Sequence, residues 1–220
     1  MLASRRIEKS RERCARIEGE GGIHGRADVT DHDSIKSAVA HAETEMARST
    51  SVNNFRVSTT QRIQTTPEDY DFIFDTNVKG AFFVAQEVGK RTLARSRARQ
   101  PGSFTGGRII NIASMAGLKV LPQIGAYCMS KAAVVQMTSR HGAGMGRFGI
   151  NVNALCPGYI DTEINHDHWR TGAGPETHRH AAAQAGRPAA RPRRLIVLLA
   201  SDQSHFINGA VIAADDGFAV

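Results

Sequence analysis

Gly106-Gly107-Arg108-Ile109-Ile110-Asn111-Ile112-Ala113-Ser114, followed thirteen residues after that serine by Tyr127-Cys128-Met129-Ser130-Lys131, is the stretch on which the fold turns. Its first part is short, β-branched and opened by a glycine pair, which predicts a strand over residues 108–113. Residues 126–138 then predict a helix. Downstream, Ile150-Asn151-Val152-Asn153-Ala154-Leu155 reads as a second strand, stopped by Pro157-Gly158. Residues 195–200 predict a short helix and Ala210-Val211-Ile212-Ala213 a last strand.

Upstream the pattern is helical. Residues 30–46 carry Ile35, Val39, Ala42 and Met46 at helical spacing, with Thr30 and Asp33 fitting a capping box. Thr66-Pro67-Glu68-Asp69 is another start signal: a Thr cap, Pro at the first helical position and acids in the first turn. The helical region that follows takes its apolar side from Phe72, Ile73, Val78, Phe82, Val84, Ala85, Val88 and Leu93. Strands alternating with helices predict an α/β architecture, a parallel sheet covered on both faces. Residues 47–56, 139–146 and 171–194 fit no period, and the last reads by composition as loop or disorder.

A length of 220 residues suits one domain with a sizeable core, and 41% hydrophobic with 22% charged residues is ordinary globular composition. No run approaches the roughly 18–20 apolar residues needed to span a bilayer. Met1-Leu2-Ala3-Ser4-Arg5-Arg6 opens no signal-peptide pattern, so a cytoplasmic protein is expected. Cys14, Cys128 and Cys156 are an odd number without C-x-x-C spacing and do not read as a disulfide or zinc framework; Cys128 and Cys156, in apolar segments, read as buried reduced thiols. The net charge of +7 does not mark a nucleic-acid binder. Between residues 171 and 194, Arg179, Arg187, Arg191, Arg193 and Arg194 face one acid, Glu176, with no aromatic interleaving. His166, His168, His178 and His180 lack the spacing and the completing ligands of a metal site. No nucleic-acid, membrane or metal partner is expected.

The chemistry-bearing residues are Tyr127 and Lys131, four apart and hence on one face of a helix. A phenol near pKa ~10 is a poor base at neutral pH. A neighbouring ammonium favours the phenolate, and a phenol tuned in this way exchanges a proton with an alcohol or carbonyl. Ser114, at the strand end, is placed to donate to the same oxygen.

Ser114, the Tyr127-x-x-x-Lys131 pair and the run Asn151-x-Asn153-Ala154-Leu155-Cys156-Pro157-Gly158 together resemble the short-chain dehydrogenase/reductase family, and the resemblance covers most of the chain. It implies a single NAD(P)-binding Rossmann-like domain over residues 1–220, a doubly wound, three-layer parallel sheet. It further implies an oxidoreductase passing hydride between NADP(H) and a secondary alcohol or ketone, in the manner of the 3-oxoacyl-acyl-carrier-protein reductase-like group. By the same resemblance Tyr127 is the acid/base, and Lys131 lowers its pKa and holds the cofactor ribose. Ser114 orients the substrate, and Asn77 of Asn77-Val78-Lys79-Gly80 holds a relay water.

Cofactor contacts implied in the same way are Asp28 and Val29 at the adenine, Asn53 in the next turn, and Pro157, Gly158, Ile160 and Thr162 around the nicotinamide. Ser4 and Arg5, at the end of the first readable strand, suit the 2′-phosphate of NADP over NAD. A homo-oligomer, dimer or tetramer, built through the C-terminal half is also implied. Leu198-Leu199-Ala200-Ser201-Asp202, Ile207-Asn208-Gly209 and Asp215-Asp216-Gly217 resemble the family's C-terminal signature.

The chain departs from the family at two places. The family's first strand and glycine-rich phosphate turn are not found, which predicts a sheet short of a central strand and weakened pyrophosphate binding. Where the family has small residues after Asn53-Asn54, here stand Phe55-Arg56, bulky beside the expected adenosine. The resemblance also fades in the three unpatterned stretches, as compensated reading-frame shifts in a GC-rich gene would produce. These departures leave a second function class, a truncated, catalytically impaired chain serving as an oligomer partner, and the arginine-rich residues 171–194 leave a third, a basic-tail nucleic-acid binder.

Overall fold

The computed structural model describes residues 2–15, 24–45, 49–59, 64–98, 106–160 and 190–218. Its strands are β1 (Leu2–Ser4), β2 (His24–Arg26), β3 (Ser49–Asn53), β4 (Gly107–Ile112), β5 (Ile150–Pro157) and β6 (Val211–Ala214). The helices are α1 (Ile7–Ala15), α2 (His32–Glu45), α3 (Pro67–Phe74), α4 (Gly80–Ala98), α5 (Gly125–Met145) and α6 (Ala190–Ala200). All pairings are parallel, in a two-stranded sheet β1-β2 and a four-stranded sheet β3-β4-β5-β6. Among the described residues no strand joins β1 to β3.

β5 is buried along seven of its eight residues because helices cover both faces. On one face Ala85 and Val88 of α4 meet Ile109, Ile150 and Val152, and Val134 of α5 meets Ala113, Ala154 and Cys156. α6 covers the other face through β4 and β5, and its own Leu199 is fully buried. Each fully buried isoleucine here contributes on the order of 1.5–3 kcal/mol. Asn151 and Asn153 point to that second face and bind loop rather than core. Asn151 Nδ2 donates to His205 O at 2.7 Å. Asn153 donates to Ile207 O at 2.9 Å and accepts from Ala210 N at 3.0 Å. The Asn-x-Asn run therefore stitches residues 205–210 to β5.

Four readings of the sequence are corrected in detail. Residues 49–53, within an unpatterned stretch, form β3, because the ladder to β4 stabilises a strand of Ser, Thr and Asn that has no apolar alternation of its own. α5 runs on through the glycine-rich residues 139–145. Gly142 is needed there: a Cβ would lie 2.6 Å from Gly209 Cα, so a weak helix former permits the closest approach between α5 and the turn before β6. The cap of α2 is Asp31, whose Oδ1 accepts from Asp33 N at 3.0 Å, and not Thr30, which is held by Asp28. α6 begins at Ala190, inside the third unpatterned stretch, while residues 171–189 lie outside the described residues. Thr66 does cap α3, accepting from Asp69 N at 3.2 Å with Pro67 behind it.

Among the described residues no helix is long and apolar enough to cross a membrane.

Candidate active site

Asn77, Ser114, Tyr127 and Lys131 are brought close together by three local devices. β4 ends with Ala113 N donating to Leu155 O at 2.8 Å, and the chain then turns through a 3-10 turn, Met115–Gly117, capped by Ser114. Gly117 lets that turn lie directly on α5, since a Cβ would sit 2.7 Å from the Lys131 carbonyl. Ser114 is thereby held beside Tyr127, where its hydroxyl favours the phenolate. The Ser114 hydroxyl oxygen also accepts from Ala116 N at 3.1 Å.

Asn77 sits in a π-turn, Asp75–Lys79, between α3 and α4. The extra residue per turn rotates its side chain inward, where it is 1% exposed. Its Nδ2 donates to Val57 O at 2.9 Å and to Ser130 Oγ at 3.1 Å, and its Oδ1 accepts from Val57 N at 3.0 Å. Ser130 in turn donates to Tyr127 O at 2.8 Å.

Lys131 is 1% exposed, and its Nζ donates to Ile112 O at 2.9 Å and Phe55 O at 3.0 Å. The nitrogen stands 5.8 Å from the centroid of the Tyr127 ring. Burial, aided by the charge of Arg56, pulls the Lys131 pKa down from its ordinary 10.5 to about 8. Burial pushes the Tyr127 phenol above its usual value, against which the neighbouring Ser114 hydroxyl and the Arg56 charge act. The influence that spacing assigns to Lys131 is thus exerted here by Ser114 and Arg56.

Tyr127 and Ser114 open on a cavity of about 430 Å³. Arg56, Val57 and Ser58 form one wall, Phe72, Met115, Leu121 and Ile124 an apolar one, and Gly158, Tyr159 and Ile160 the third. Arg56 escapes sequence reasoning as a member of this site. The signal was present as a bulky cation in place of small residues, but it pointed to the adenosine end.

The other expected cofactor residues lie in several places. Ser4 and Arg5 stand at the carboxyl end of β1, where Ala27 N donates to Ser4 O at 3.1 Å, and Ser4 Oγ donates to Arg6 O at 2.8 Å. Asp28 lies beside them, its carboxyl held below the usual range by hydrogen bonds from Thr30 and then by the charges of Arg5 and Arg26. Val29 packs on Gly80 at the start of α4. Asn53 is buried away from the cavity wall, donating to Asn111 Oδ1 at 2.8 Å. Pro157 ends β5, and Thr162 lies outside the described residues, as do His166, His168, His178 and His180.

Residues 2–219 match the family profile described as enoyl-(acyl carrier protein) reductase. The chain is 36% identical to a sorbitol dehydrogenase of Cereibacter sphaeroides over 76% of its own length and 61% of that protein's. It is 30% identical to a 3-oxoacyl-[acyl-carrier-protein] reductase of Thermotoga maritima, over 90% of this chain and 80% of that one. Among solved structures, a gluconate 5-dehydrogenase from Burkholderia cenocepacia in complex with NADP and tartrate superposes with a TM-score of 0.86. The two are 28% identical, over 98% of this chain and 83% of that one.

Proposed function

This chain belongs to the short-chain dehydrogenase/reductase family, and from that premise we propose that it interconverts a secondary alcohol and a ketone with NADP(H). The observation that carries the reading is the pairing of Ser114 with Tyr127 on the wall of one 430 Å³ cavity, with Lys131 sealed behind them.

The residues present fit such a cofactor by the chemistry of their donors. Ser4 and Arg5 offer a hydroxyl and a guanidinium at a strand's carboxyl end, where dinucleotides bind in open α/β sheets. At the other end of the site the Gly158–Ile160 segment borders Tyr127. When bound, the cofactor supplies the hydride acceptor or donor. Tyr127 takes the proton of the alcohol oxygen, or returns it to the ketone. Ser114 donates to that oxygen and offsets its developing charge.

Lys131 spends two of its three N–H donors on Phe55 O and Ile112 O. The third is the one left for a ribose hydroxyl or a relay water. Asn77 acts chiefly as a positioning residue, and one Oδ1 lone pair remains for that water. A cytoplasmic homo-oligomer is part of the same reading, supported by the exposed apolar side chains of Val197 and Phe206 near the C-terminus.

NADPH titration followed by its fluorescence, then turnover of a panel of alcohols and ketones, tests the reading. Saturable binding in both wild type and Tyr127→Phe, with turnover only in wild type, is the expected result. The division of the sheet between β1 and β3 favours a second reading, an impaired chain acting as an oligomer partner. Absence of NADPH binding together with a defined oligomer would decide for it.

A further inference from the structure

Carbon flanks the reacting pair in the chain and in space. Met115 follows Ser114 directly, and Ile124 is the N-cap residue of α5, just ahead of Tyr127. Met115 and Leu121 share one buried cluster with Tyr127 itself, and Ile124 packs against it. All three line the cavity on which Ser114 and Tyr127 open. From α3 comes Phe72, which lines the same cavity and is 42% exposed. An aromatic ring left that open on a cavity wall is apolar surface for a ligand to cover. Apart from Arg56, the described lining side chains that carry nitrogen or oxygen are hydroxyls: Ser58, Ser114, Tyr127 and Tyr159. Among the described residues this cavity has no carboxylate, amide or imidazole.

We propose that the wall of Phe72, Met115, Leu121 and Ile124 selects a secondary alcohol or ketone with an alkyl or aryl substituent on its reacting carbon. The chain then prefers such compounds to polyols of the same length. The inference rests on the oxidoreductase reading for the reacting oxygen, but the preference is also measurable as binding, without turnover. In that reading Ser114 and Tyr127 are committed to the reacting oxygen. The substituents of its carbon lie in the same cavity as the four apolar side chains. A polyol carries a hydroxyl on every carbon, and each one set against this wall gives up water without gaining a partner. An alkyl chain gives up only the hydration of apolar surface, which favours binding. Met115 and Leu121 are 2% and 9% exposed, so core packing sets this part of the wall before any ligand enters.

2-Hexanol and sorbitol share a carbon-chain length and a secondary alcohol on the second carbon. They differ in the hydroxyls on the other carbons, which makes them the probe pair. Wild type with NADP is expected to show a kcat/KM for 2-hexanol about 10-fold or more above that for sorbitol. It should also give the stronger saturation-transfer NMR signal with 2-hexanol. Phe72 is the residue to change, because its partial exposure spares the core. Phe72→Gln is expected to reduce the hexanol-to-sorbitol ratio about 10-fold, with Phe72→Leu closer to wild type. Far-UV circular dichroism and the urea midpoint check that each variant is folded. A wild type that uses sorbitol as well as or better than 2-hexanol overturns the proposal, as does one that does not bind 2-hexanol. So does an unchanged ratio in a folded Phe72→Gln, or a loss confined to NADPH affinity, which would assign Phe72 to the cofactor. Phe72-dependent binding of 2-hexanol without turnover of either compound would sustain the preference while refuting the oxidoreductase reading.

Discussion

Replacing Lys131 with methionine should change how the stability of this chain depends on pH, with a sign that follows from burial. In the folded protein the Lys131 ammonium titrates at about 8, against an ordinary 10.5. At about 1.36 kcal/mol per pKa unit, the fold disfavours the charged form by about 3 kcal/mol. Below pH 8 both folded and unfolded chains carry the proton, and this cost is fully present. Between about 8 and 10.5 the unfolded chain holds more protons than the folded one, so unfolding becomes less favourable as pH rises. Above that window both forms are neutral, and the cost is gone. The Cys156 thiol, pushed up to about 11 by its burial, stays protonated through most of the window.

Urea denaturation of wild type and Lys131→Met at four pH values from 7.5 to 10.5, at constant ionic strength, isolates this contribution as a difference between the two proteins. The difference should shift by about 3 kcal/mol in favour of wild type across the series. Its value at pH 7.5 reports a separate quantity, the loss of the bonds to Phe55 O and Ile112 O set against relief of the buried charge. Arg56→Gln provides the internal control. With that neighbouring cation gone the rise should begin at higher pH, because Arg56 is part of what lowers Lys131. A difference that stays flat between pH 8 and 10.5, or that moves toward the methionine variant, would refute the assignment of a depressed lysine.

Three further outcomes follow from the same geometry. Ser114→Ala should lower kcat about 100-fold or more, as loss of one donor to a developing oxyanion does, while NADPH fluorescence titrations stay near wild type. Gly142→Ala should lower stability by about 1–3 kcal/mol through overpacking, although alanine is the better helix former, because its Cβ would meet Gly209 Cα at 2.6 Å and Gly209 N at 2.7 Å, both of them backbone atoms; a urea midpoint at or above wild type would show that the turn moves aside. Cys14, Cys128 and Cys156 are 5%, 6% and 0% exposed, so a thiol-specific chromogenic disulfide should label the native chain slowly and the denatured chain at once.

The site was legible in the sequence where function depends on local spacing. Tyr127 and Lys131 declare themselves by a separation of four on a helix, and Ser114 by closing a β-branched strand before a turn. Illegible features arise from contacts distant in the chain. The polar β3 carries no strand signature because its stability lies in pairing with β4. The glycines of α5 read as helix breaking until Gly209 is seen pressed against Gly142. The π-turn that rotates Asn77 inward leaves no mark in hydrophobic period, since a single inserted residue shifts the phase without changing the composition of either face.

Arg56 joins these two classes. Spacing leads one to expect Lys131 to act on the phenol, yet its ammonium is engaged by two backbone carbonyls and stands 5.8 Å from the Tyr127 ring centroid. One of those carbonyls belongs to Phe55, and the Asn77 amide holds Val57. Two side chains that the sequence singles out for proton chemistry are therefore also the struts on either side of a cation that it did not single out. The coupling has a consequence for substitution: altering Lys131 or Asn77 loosens the backbone beside Arg56 as well, so loss of turnover in either variant mixes the direct loss with a change in the charge that Arg56 exerts on Tyr127. Only a change at Arg56 itself, which leaves both struts bonded to backbone, separates the two.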